Sequence, residues 1–238
     1  MKKLLDLVAF LPLLDWLALL VFFAAWLGYA SFAKRRSQHD GSLLAATNLE
    51  RWRWMYQATF RDVRVVDGVV VQNLSTSPSF FASTTILIIG GLLAMLGAGE
   101  KASELVRELP FTVRTSELVF ELKLVLLTAI FVYAFFRFTW SMRQYTFGAL
   151  LVGSAPDHTR FESGEASREA FADRAGRVMG LAAETFNDGL RAYYLSFAAV
   201  AWFFSPWAFL VATFGVIYVL YQREFHSDVL KVLRSEVA

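Results

Sequence analysis

The feature that most limits what this chain can fold into is the length of its uncharged apolar runs. A helix rises 1.5 Å per residue, so about 20 apolar residues carry it across a hydrocarbon core about 30 Å thick. Four stretches approach that requirement. The first is Leu13–Phe32, which has no charge after Asp15 and stops at Lys34-Arg35-Arg36. The second is Ser79–Gly97; Pro78 just before it suits a first-turn position, where a missing N–H costs nothing. The third is Leu118–Trp140, strongly apolar apart from Glu121, Lys123 and Arg137. The fourth is Tyr193–Tyr221, too long for a straight perpendicular span, with Pro206 placed to kink it. Neither half of this last run is long enough alone. It therefore predicts one tilted, kinked helix, with a re-entrant hairpin as the alternative.

Composition agrees with a membrane class. Apolar residues make up 56% of 238, and Phe alone occurs 23 times. A soluble core of this size does not need that much apolar surface, whereas a lipid-facing bundle is apolar outside as well as inside. Lys2 and Lys3 ahead of a Leu-rich stretch, with Ser31-Phe32-Ala33 as a loose cleavage site, also fit a signal peptide. The run exceeds a usual signal core and the basic cluster behind it acts as a stop, which favours a retained helix. The expected fold is all-α: a polytopic membrane helix bundle of four transmembrane helices plus amphipathic cytoplasmic helices, one membrane domain over residues 1–238. A net charge of +2 lacks the basic excess of a nucleic-acid binder. With no Cys there is no disulfide framework, thiolate metal site or thiol nucleophile. His39, His158 and His226 lie far apart in polar surroundings and read as surface residues.

Lys and Arg mark cytoplasmic loops. Residues 34–77 carry Lys34, Arg35, Arg36, Arg51, Arg53, Arg61 and Arg64, and residues 141–191 carry Arg143, Arg160, Arg168, Arg174, Arg177 and Arg191. The middle loop has only Lys101, Arg107 and Arg114. Four spans put the two basic segments in the cytoplasm and both termini in the periplasm of a bacterial inner membrane. A re-entrant fourth run returns the tail to the cytoplasm.

Both basic segments carry helical patterning. Thr47-Asn48-Leu49-Glu50 fits a capping box, and Leu49, Trp52, Tyr56, Phe60 and Val63 follow at helical spacing. Phe171, Ala175, Val178, Ala182 and Phe186 form a second stripe. The two helices are expected to pack as a small cytoplasmic cap. Between them, Val63–Val71 with its Asp67-Gly68 step reads equally as a hairpin or as a helix end and turn.

Two sets of residues could carry function. Thr76, Ser79, Ser83, Gly90, Ala94 and Gly97 share a helical face of the second span, with Thr84 beside it. Small and hydroxylated residues there allow close helix packing or line a narrow pore. Glu121, Lys123 and Arg137 form a candidate charged gate in the third span: Glu121 near the outer mouth, Arg137 near enough to the cytoplasmic end to snorkel. Asp188 and Arg191 are placed to pair locally, as are Arg61 with Asp62 and Arg64 with Asp67. The sequence contains no Ser-His-Asp set, metal-ligand spacing or nucleotide-binding loop; Gly90-Gly91 lies inside an apolar helix. No cofactor is expected.

Four strings bear a resemblance to a known family: VDGVVVQNLSTSPSFFASTTILIIGGLLAMLG (66–97), RQYTFGALLVGSAP (143–156), FNDGLRAYYLSFAAVAWF (186–203) and VLYQREFHS (219–227). They resemble domain of unknown function 599, found in bacteria and plants, over nearly the whole chain. The resemblance implies a multi-pass membrane protein and brings no established reaction, ligand or functional residue. Gln222 stands where the family's YRREF-like string has Arg.

The leading functional expectation is a homo-oligomeric channel or transporter for ions or small solutes, because four helices per chain leave little room for a water-filled path. The alternative is a non-transporting scaffold or regulator whose cytoplasmic helices bind a partner or anionic lipid. A third is a lipid-modifying enzyme using Asp62, Asp67 or Asp188. Partners beyond the bilayer are a second copy and an ion or solute, not nucleic acid.

Overall fold

The computed structural model describes residues 11–37, 41–98 and 116–235. Lys2, Lys3, His39 and the middle loop with Lys101, Arg107 and Arg114 lie outside them. The described residues are helical and contain no strand. In chain order the helices are α1 (Leu13–Ser37), α2 (Leu43–Ala58), α3 (Val65–Ala98), α4 (Glu117–Gly153), α5 (His158–Glu162), α6 (Arg168–Ala201), α7 (Pro206–Phe225) and α8 (Asp228–Arg234). Among the described residues, three stretches are long and apolar enough to cross a membrane: Leu13–Arg36, Val65–Ala98 and Glu117–Gly153.

Four local expectations are corrected. The run 193–221 is not one kinked helix: α6 ends at Ala201 and α7 starts at Pro206. Pro78 is not at a first turn but inside the 34-residue α3. The Asp67-Gly68 step makes no hairpin, because α3 already begins at Val65 and the Asp67 carboxylate is buried against Trp54 and Arg61. The capping box at Thr47 is not used. Ser42 caps α2 instead, accepting from Ala45 N at 3.1 Å, and the Thr47 hydroxyl donates back to Leu43 O. The inward face of α2 is accordingly Leu44, Met55 and Ala58, while Leu49, Phe60 and Val63 are exposed. On α6, Phe171, Ala175 and Ala182 are buried, with Val178 and Phe186 half-buried.

The described residues fall into two compact units. The first comprises residues up to Ala33, Thr85–Ala134 and Leu190–Tyr221. Its centre is a run of rings, Phe22 against Phe209 at 4.9 Å between centroids and Phe209 against Trp202 at 5.3 Å. Ala192, Ala198 and Ala199 of α6 are fully buried beside large neighbours; small side chains there let helix axes approach.

The second unit comprises Lys34–Thr84, Phe135–Gly189 and the chain from Gln222. Here α2 lies almost backbone to backbone on α6. A Cβ added at Gly176 would sit 3.0 Å from Trp52 Cα, and one at Gly180 would sit 2.9 Å from Asn48 Oδ1. Met55, Tyr145, Phe171 and Met179 fill the core around this crossing. Polar side chains tie the loop between α2 and α3: Arg64 donates to Ala58 O and Pro156 O, and Arg168 donates to Thr59 O while lying over the Phe60 ring. Glu224 near the end of α7 accepts from Leu44 N at 3.2 Å.

The glycines differ in what surrounds them, and that difference is testable. Gly176→Ala presses on backbone that cannot move aside, and should lower stability by about 1–3 kcal/mol. Gly148→Ala meets only the flexible end of Met179 and gains helix propensity, so it should be near neutral. Thermal unfolding of the detergent-solubilised variants ranks them directly.

Candidate functional site

The break between α6 and α7 creates the first unit's most unusual site. In an unbroken helix the N–H of residue 206 would bond the carbonyl of residue 202. Residue 206 is proline, so that donor is missing. The side chain of Lys123, reaching from α4, supplies one: Nζ donates to Trp202 O at 2.9 Å. The ammonium also lies 5.3 Å from the Trp202 ring centroid and 5.8 Å from that of Phe203. Trp202 Nε1 in turn donates to Asp15 Oδ1 of α1 at 2.6 Å. Lys123 is 3% exposed, Asp15 7% and Trp202 0%. Asp15 is near enough to act on the Lys123 charge. One acid, one base and one amphipathic ring thus join three helices around an open carbonyl.

The three residues expected to form a gate do not come together. Glu121 is half-buried. Lys123 is buried at the knot just described. Arg137, separated from it by about 21 Å of helix rise, pairs with Asp188 of α6 in the second unit. Asp188 takes Arg137 as a partner, and Arg191 lies over the Tyr29 ring. The pairs expected of Arg61 with Asp62 and of Arg64 with Asp67 are exchanged: Arg61 holds Asp67, and Asp62 faces His158. Asp67 and Asp188 are thus each engaged with an arginine, while Asp62 lies 3.4 Å from the His158 imidazole.

The small-residue face of α3 is intact but is largely uncovered by the other described residues. The buried positions of α3 are Asp67, Val71, Pro78, Ala82, Thr85 and Leu92. Thr76, Ser83, Gly90, Ala94 and Gly97 lie on the opposite side and are exposed, with Ser79 and Thr84 half-buried. A Cβ added at Gly90 or Gly97 would meet nothing within 4 Å. The one hydroxyl of this span that turns inward is Thr85, hydrogen-bonded to Tyr193 at 2.7 Å. Thr76 and Thr84 return their hydroxyls to Gln72 O and Phe80 O, four residues back.

Sequence reasoning missed two further groupings. Asp62, Asp157 and His158 place ligand-type atoms within 4.8 Å of one another. His158 Nδ1 lies 3.4 Å from Asp62 and 3.3 Å from Asp157. Asp157 is already engaged as the cap of α5, and its carboxyl is held below the ordinary range by the Thr159 N–H and hydroxyl. The second grouping is a cleft at the α2–α6 crossing, lined by charged residues that include Lys34, Asp173 and Arg177.

A family model described as "Protein of unknown function, DUF599" matches residues 17–229. The chain belongs to the DUF599 family. The matched region takes in Lys123, Trp202 and the outward face of α3, while Asp15 falls just before it. No curated protein and no solved structure matches this DUF599 chain.

The knot at Trp202 makes a quantitative prediction. Asp15→Ala and Lys123→Met should each destabilise the protein by about 1–3 kcal/mol, because each leaves a buried polar partner unmatched. The double variant should lose less than the sum, with a coupling above about 0.5 kcal/mol in a denaturation cycle.

Proposed function

We propose that the chain crosses a bacterial inner membrane five times and serves as one subunit of a homo-oligomeric channel or transporter for ions or small solutes. The fifth crossing follows from the helix break. Within the first unit, α7 runs beside α1 along its length: Phe209 meets Phe22 near one end, and Leu220 joins Tyr29 and Ala33 near the other. The end of α6 runs the opposite way, from Arg191 at Tyr29 to Trp202 at Asp15. Since α1 is long and apolar enough to span, helices that match its length beside it share its depth. α7 also shows apolar side chains on both sides. Phe209 and Leu210 face in, and Trp207, Val211, Phe214 and Tyr218 face out, as in a lipid-exposed helix.

This count puts the N-terminus on the periplasmic side and the tail with the basic segments. Arg223, Lys231 and Arg234 then strengthen the positive side instead of opposing it. Helical spans suit an inner membrane, since outer-membrane proteins cross as barrels.

The observation that carries the transport reading is the outward face of α3. Lipid-facing positions are normally large and apolar; on α3, beside exposed Phe80, Ile86, Leu87 and Leu93, they include Thr76, Ser83, Gly90, Ala94 and Gly97. Copies arranged about an axis would bury this face and place its hydroxyls along a path. The rival reading, a scaffold that transports nothing, leaves the same face against lipid.

A chain without Cys makes the test clean. Single Cys residues at Ser83 and Gly90 should form disulfide-linked multimers in native membranes and react with a water-soluble thiol reagent, whereas Val211→Cys on α7 should do neither. Cys residues at 83 and 90 that react only with lipid-soluble reagents and never cross-link would support the scaffold instead.

A further inference from the structure

Three ligand-type side chains meet at one edge of the second unit, and two separate loops supply them. Asp62 lies in the loop between α2 and α3. Asp157 is the cap of α5 and His158 its first residue. The two loops are tied together without help from these side chains. Arg64 donates to Ala58 O at 3.0 Å and to Pro156 O at 2.8 Å, so one guanidinium joins the end of α2 to the residue before Asp157. That tie sets how far Asp62 stands from the start of α5.

The three donor atoms lie within 4.8 Å of one another. His158 Nδ1 is 3.4 Å from Asp62 Oδ1 and 3.3 Å from Asp157 Oδ1. Neither contact is a hydrogen bond: Nδ1 is buried and has no hydrogen-bond partner among the described residues, although two carboxylate oxygens flank it. Buried ring nitrogens are normally satisfied, so this one calls for a partner of another kind. The Asp157 carboxylate is already oriented, since Thr159 donates to it from its N–H at 3.0 Å and from its hydroxyl at 2.8 Å. Asp62 is not neutralised by its neighbours. Arg61 is bound to Asp67, and Arg64 to the two carbonyls.

Two carboxylates and a neutral imidazole together complement a divalent cation. Spacing and donor type select which one. Bonds of about 2.0–2.1 Å at tetrahedral angles set neighbouring ligand atoms about 3.3–3.4 Å apart, and Nδ1 stands at 3.4 and 3.3 Å from the two oxygens. Mg²⁺ and Ca²⁺ favour shells made of oxygen alone, whereas imidazole suits Zn²⁺ and its neighbours. We propose that Asp62, Asp157 and His158 bind one ion of the Zn²⁺ class, with water in the fourth position. The two Asp side chains are exposed, which leaves that position open to solvent. α3 begins at Val65, just after Asp62, so the bound ion fastens the start of that helix to α5. This site is independent of whether α3 lines a pore.

The test uses the full chain without a polyhistidine tag, in mild detergent, stripped with a chelator and titrated with zinc, magnesium or calcium chloride. Bound metal is read by native mass spectrometry and stability by the thermal midpoint. Zn²⁺ should bind saturably at one ion per chain and raise the midpoint, while Mg²⁺ and Ca²⁺ should do neither. Co²⁺ in its place should show the intense visible bands of a four-coordinate site. His158→Ala and Asp62→Asn should each abolish saturable binding, and His226→Ala should leave it unchanged. Thr159→Val, which removes a hydrogen bond to Asp157 but no ligand, should weaken apparent affinity about tenfold. Circular dichroism of each metal-free variant separates a lost site from a lost fold. Equal responses to the three ions would overturn the proposal. So would weak, unsaturable uptake, the mark of an adventitious ion only, or one Zn²⁺ per chain retained in His158→Ala or in Asp62→Asn.

Discussion

A single carbonyl organises much of this protein. Pro206 removes the donor that Trp202 O would have had in a continuous helix, and an open carbonyl in an apolar interior is expensive. Lys123 fills the vacancy at 2.9 Å. A buried ammonium is itself expensive, and three features offset it: the carbonyl, the faces of Trp202 and Phe203, and the nearby Asp15 carboxylate. Asp15 is fixed by Trp202 Nε1. Every member of the set satisfies another, so none can be removed without leaving a buried polar group unmatched. The set turns what would have been a kink into a chain reversal.

The reversal decides how the rest is read. A kinked fourth helix would leave the tail opposite the basic segments. Two helices returning beside α1 bring Glu224 to Leu44 N and Arg36 over the Phe225 ring, both within the second unit. That unit is a helical assembly held by close packing at Gly176 and Gly180 and by an ion pair and side-chain hydrogen bonds around the α2–α3 loop. The first unit buries aromatic side chains and exposes others, as a lipid-surrounded bundle does.

Much of this was legible in the sequence, and the parts that were not share a cause. The apolar runs that became α1, α3 and α4 are local signals, and length alone marks them. The family resemblance was likewise carried by long contiguous strings and agrees with the match over residues 17–229. Pro206 was visible as a disruption, but what makes it a reversal is a contact 79 residues away to Lys123 and one 187 residues away to Asp15. Long-range polar partners leave no periodic trace. The same holds for Arg137 with Asp188, 51 residues apart. Gly176-Arg177-Val178-Met179-Gly180 did carry a readable signal, since glycines four apart mark a close helix crossing. The small face of α3 was readable as a set of residues. That it is largely uncovered needed the burial pattern of all its neighbours.

The most direct test of the account is the side of the membrane on which the Trp202–Ser205 turn lies. Cys placed singly at Phe204 and at Ser235 can be labelled with a membrane-impermeant maleimide in right-side-out vesicles, before and after the membrane is opened. The account predicts that Phe204→Cys reacts at once and that Ser235→Cys reacts only after opening. Protection of Phe204→Cys in sealed vesicles, or reaction of both positions from outside, would contradict the five-span reversal.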